Sequence, residues 1–160
     1  MARVTAAVLC LSLLAAACGP KTVASPPVTA APRFPDFIVP VVPLELQDTP
    51  AAKSQGRAWA LLQAGDFGGA ERELAAALAS RPDFFPAETT RGWVEIARKD
   101  PAAALPHFAR ALERQPADPS ALVGRGEASL ALDREADALV AFRAAAAADP
   151  SLTEIARRVE

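Results

Sequence analysis

The chain of 160 residues has no tyrosine, one histidine and two cysteines. Both cysteines, Cys10 and Cys18, fall within the first 18 residues. A disulfide framework needs cysteines spread through the fold, so none is expected here. The histidine, His107, has no cysteine near it in sequence and no carboxylate pair of distinctive spacing around it. No P-loop, no G-x-G-x-x-G and no metal-spaced Cys/His cluster is present. Catalytic residues, metal ligands and cofactors are therefore not expected. The net charge of -2 gives no basic surface for nucleic acid. The one long apolar run, Val4 to Ala17, has fourteen residues, short of the roughly 20 that a membrane span needs.

What is present falls into segments. Alanine favours helix and proline opposes it, and the chain separates the two. Arg3 followed by the apolar run and the small residues Ala15 to Ala17 has the order of a secretory signal. The stretch "LLAAACG" around Cys18 resembles the lipobox of bacterial lipoproteins. It departs at Ala15, where leucine is commonest in that family. The resemblance implies that the leader 1-17 is removed and that Cys18 is lipidated, with a diacylglycerol thioether and an acylated (palmitate-type) amino terminus. Membrane attachment through Cys18 follows. Gly19 stands where inner-membrane members tend to carry aspartate, which favours the outer membrane, facing the periplasm. The alternative is ordinary secretion without a lipid anchor.

Residues 18-50 form a proline-rich tether, with eight prolines between 19 and 50. Extended, polyproline-like chain is expected there. Residues 33-46, "RFPDFIVPVVPLEL", are too apolar for a solvated linker. They are expected to dock, either on the protein's own helices or on a partner.

From Ala51 the chain repeats. Ala70, Ala104 and Ala138 stand 34 residues apart, as do Leu74, Phe108 and Phe142, then Ala77, Ala111 and Ala145, then Pro82, Pro116 and Pro150. Ala58, Gly92 and Gly126 keep the same interval. Small residues at these places let paired helices approach, larger ones fill the space beside them, and the prolines end each unit. Arg57, Arg91 and Arg125 also recur and read as a solvated face. Pro106 lies inside a predicted helix, where a mild bend is expected.

This pattern resembles the tetratricopeptide repeat, a 34-residue helix–turn–helix. The resemblance implies an all-α, right-handed α-solenoid of three repeats, 51-84, 85-118 and 119-152. A short C-terminal capping helix over 153-160 would follow. The family's usual tryptophan, leucine and tyrosine of the first helix are mostly missing.

Trp59 and Trp93 are the two tryptophans, and they too are 34 apart. In the family that face lines a concave groove for extended peptides. The implied groove comprises Gln55, Trp59 and Leu62, then Thr89, Trp93 and Ile96, then Val123, Glu127 and Leu130. It is largely apolar with one acidic spot, and tryptophan is a common anchor in binding pockets. Plain inter-repeat core is the other reading of both tryptophans. One candidate ligand is the protein's own "FIVPVVPL". The expected function is a membrane-anchored, non-catalytic scaffold that binds a protein or peptide in the cell envelope. Self-association as a homo-oligomer through the thin C-terminal end is the second reading.

Overall fold

A computed structural model describes residues 31-157. Among them are seven α-helices, one short 3-10 turn and no strand. The helices are α1 (Pro50–Ala64), α2 (Phe67–Ser80), α3 (Phe85–Ala97), α4 (Pro101–Arg114), α5 (Pro119–Ala131), α6 (Glu135–Ala148) and α7 (Thr153–Arg157). The chain is an all-α helical solenoid in which α1/α2, α3/α4 and α5/α6 are antiparallel pairs. Leader, Cys18 and the last residues of the expected cap, 158-160, lie outside the described residues.

Local chemistry sets the helix ends. Thr49 caps α1 by accepting from the Ala52 N–H at 3.2 Å. Proline at the first position is tolerated because its missing N–H would have no partner there, so α1 begins at Pro50. Asp66 and Asp100 hold the same register, and each accepts from an N–H three residues on. The corresponding residue in the third pair is Arg134, which makes no side-chain cap. At the other end, α1 stops on left-handed Gly65, with φ 82°. Lys99 and Asp133 occupy the equivalent places with φ 65° and 57°. Their side chains make that conformation costly, by about 1–2 kcal/mol each.

The core follows the 34-residue period. Ala58, Ala70, Leu74 and Ala77 of the first pair are buried, as are Ala104, Phe108 and Ala111 of the second and Ala138, Phe142 and Ala145 of the third. Glycine is needed where the aromatics fill in. A Cβ on Gly92 would lie 2.5 Å from the Phe108 ring, and one on Gly126 would lie 2.4 Å from the Phe142 ring. Gly124 meets Phe108 from the following pair, at 2.2 Å. Phe108 is thus clamped between two glycines of two repeats, and full burial of such a ring contributes about 1.5–3 kcal/mol. Pro82, Pro116 and Pro150 are exposed in the connections. Pro106 sits inside α4 without ending it.

Two of the recurring arginines are engaged with second helices. Arg57 pairs with Glu73 at 2.7 Å and Arg91 with Glu71 at 3.1 Å. Half-exposed pairs of this kind contribute little, up to about 1 kcal/mol. The last described helix is α7, whose Ile155 is buried. In the third pair Leu130 is 41 % and Val140 62 % exposed.

Candidate functional site

The first helices α1, α3 and α5 form one face, and residues 33-38 lie across it as a strap. The strap starts at the C-terminal end of α1. There the Phe34 N–H donates to Gln63 Oε1 at 2.9 Å, and Gln63 Nε2 donates back to the Phe34 carbonyl at 3.1 Å. The Arg33 N–H donates to the Gln63 carbonyl at 3.1 Å. One glutamine side chain thereby plays the part of a neighbouring strand for one residue. At the far end, Ser120 Oγ in the first turn of α5 donates to the Ile38 carbonyl at 2.6 Å. The same oxygen accepts from Trp93 Nε1 at 2.9 Å.

An aromatic ladder links the strap to the core. Phe37 stacks on Trp93 with ring centroids 4.5 Å apart. Phe34 stacks on Phe37 at 4.9 Å and leans on Phe67 at 6.2 Å. Trp93 meets Phe108 edge-on at 5.6 Å. Each such pair contributes about 0.5–1.5 kcal/mol beyond burial. Ile38, Val42 and Leu46 pack on the core cluster as well, while Val39, Val41 and Leu44 point to solvent.

The residues of the implied groove divide three ways. Leu62, Val123 and Trp93 are buried, Trp93 being 1 % exposed beneath the strap. Gln55 and Thr89 are also buried, as links between successive first helices. Gln55 Nε2 donates to Thr90 Oγ1 at 3.0 Å, and Thr89 Oγ1 donates to Asp118 Oδ2 at 2.7 Å. Trp59, Ile96 and Glu127 are half-buried and Leu130 is exposed. Near the third pair, Asp36 and Ile38 of the strap, with Val123, Glu127, Leu152 and Ile155, line a cleft of about 450 Å³.

Two carboxylates have shifted titrations. Burial raises the Asp118 carboxyl above the ordinary aspartate value, against the opposing hydrogen bonds from Thr89 and from the Ser120 and Ala121 amides. Burial also acts to raise Glu88, but hydrogen bonds from His107 and Arg110 prevail and hold it below the ordinary value. His107 Nδ1 lies 2.8 Å from Glu88 Oε2, so the histidine belongs to a small ion cluster joining α3 and α4.

Gln63, Ser120 and Phe67 are the site residues that the period conceals. Their counterparts are Ala97 and Ala131 for Gln63, Ala52 and Pro86 for Ser120, and Pro101 and Glu135 for Phe67. The strap is held by side chains that break the repeat, and that break is the signal by which they could have been found. In the comparisons with known proteins, residues 89–152 match the family model of the tetratricopeptide repeat. No curated protein matches the chain.

Proposed function

The chain is a tetratricopeptide-repeat protein, and from that premise we propose a non-catalytic scaffold that captures an extended partner segment on the α1/α3/α5 face. Repeats of this family are protein-interaction scaffolds, generally non-catalytic, and generally bind protein partners. The observation that carries the finer reading is the strap itself. A proline-containing segment that turns at Pro35 and Asp36 lies across that face, held through its backbone at Phe34 and Ile38. Attachment to the bacterial envelope through a lipidated Cys18 is the second half of the proposal. It is supported by the "LLAAACG" stretch and the proline-rich spacer that follows, with Gly19 favouring the outer membrane, periplasmic side.

Photo-crosslinking in cells tests the capture. A crosslinker at Glu127, on the strap-bearing face, should trap a partner that one at exposed Arg143 on α6 does not. Equal trapping from both positions argues against a specific face. Mass spectrometry of the mature amino terminus tests the anchor, and an unmodified Cys18 leaves an exported repeat protein without one.

A second reading, self-association through the C-terminal end, is favoured by exposed Leu130 of the third pair. Light scattering that reports a strict monomer at high concentration removes it.

A further inference from the structure

We propose that residues 34-38 are a resident ligand. On this view the α1/α3/α5 face is built for a segment that turns between two aromatic side chains three residues apart, as Phe34 and Phe37 do through the bond from the Phe37 N–H to the Phe34 carbonyl. A partner segment of that chemistry binds by exchanging with the strap. This rests on the reading that the face captures a partner, and it names what the partner must present.

Three observations carry it. First, the polar contacts read the strap's backbone. Gln63 takes both the N–H and the carbonyl of Phe34, and Ser120 takes the carbonyl of Ile38. Any chain that makes the same turn satisfies them, as in other modes of peptide recognition through the main chain. Second, the side-chain contacts need only the aromatic spacing. Phe34 and Phe37 stack on each other, and Phe37 lies on Trp93, whose indole is fixed from behind by Phe108 and through its N–H by Ser120. The platform is therefore held by the repeats and keeps its orientation when the strap leaves. Third, the strap is covered less than the core it rests on. Phe34, Phe37 and Ile38 are half-buried, whereas Phe108, Leu74 and Ala104 are fully enclosed by the helices. Residues 39-49 join the strap to α1; Val39, Val41 and Leu44 are exposed, and Val42 and Leu46 pack on the core. Once released from those contacts, at about 3.3 Å per residue the connection is long enough to swing the strap clear of the face.

A tethered ligand competes at an effective concentration on the order of millimolar. An external segment therefore sees a site open only part of the time, and its apparent affinity falls by that fraction.

The test uses the full chain and a fluorescent synthetic peptide of sequence RFPDFIVP. Fluorescence anisotropy should show the peptide binding the Phe34→Ala/Phe37→Ala chain about tenfold or more tightly than the unaltered chain. Adding Trp93→Ala to that variant should abolish the gain. Equal affinity for the unaltered and double-variant chains overturns the proposal, as does binding to neither. If the double variant loses its helical circular dichroism, Phe37→Leu keeps the apolar packing and should show the same preference, reduced in size. The outcomes separate from those of the scaffold reading. Peptide binding with no capture from Glu127 in cells sinks the scaffold and leaves the resident ligand. Capture without peptide binding does the reverse.

Discussion

The second and third helix pairs share one register and differ in what surrounds it. Gly92 faces Phe108 and Gly126 faces Phe142 in the same way. Yet Phe108 is also clasped by Gly124 from the next pair, and it supports Trp93 beneath the strap. Phe142 is buried as well, but beside it Leu130 is 41 % exposed. The same repeat chemistry is thus backed by a second glycine in one place and bordered by a partly exposed leucine in the other. In a stacked array, stability belongs to neighbours as much as to each unit.

That contrast can be broken by mutation. Phe108→Ala should cost about 3–5 kcal/mol, while Phe142→Ala should fall short of that range. Equal losses in denaturant unfolding would mean that the third pair is as well covered as the second. Gly124→Ala should cost about 1–3 kcal/mol, because the new methyl meets the Phe108 ring. Gly56→Ala has open space around it and should instead stabilise by about 0.5–1 kcal/mol. The same substitution with two signs would locate the tight seam. Arg134→Asp should supply the missing cap of α6 and raise stability by about 1 kcal/mol. No gain in melting temperature would show that the third pair does not lack for one. Lys99→Gly should relieve the left-handed strain after α3 and add about 0.5–1 kcal/mol.

The seams between pairs differ as well. Gln55–Thr90, between the first and second pairs, is neutral, whereas Thr89–Asp118, between the second and third, contains a carboxylate. The folded-state value of Asp118 is raised, so the folded chain holds that proton more readily than the unfolded one. Stability from this residue is thus lost as pH rises through the unfolded value, about 3.9, towards the raised one. Asp118→Asn keeps an acceptor for the α5 cap without the charge. Its stability relative to the unaltered chain should grow as pH rises through about 3.9 and above. A flat difference across that window would show that burial of the charge costs nothing.

The stacked helices were legible in the sequence because their causes recur. Ala70, Ala104 and Ala138 announce themselves by interval alone. Gly124 does not, since the preceding repeat carries Thr90 in its place. The left-handed ends at Lys99 and Asp133 share the interval of Gly65, but their side chains hide a conformation usually marked by glycine. The strap was legible as an apolar segment in need of a surface. Its path was not, because it depends on Gln63 and Ser120, which repeat nowhere, and on an indole whose orientation only packing sets.

The bond from Ser120 to Ile38 joins residues 82 positions apart. Each helix pair closes over short loops, which is fast, whereas this contact must wait for a long one. During synthesis the strap is made before the face that receives it, since α5 begins at Pro119. For that interval two phenylalanines and a run of β-branched residues have nowhere to go. Pro35, Pro40 and Pro43 interrupt this stretch, and proline is a strong obstacle to cross-β stacking. The prolines that shape the docked strap, Pro35 within its turn, thus also guard it against aggregation while its binding face is still being made.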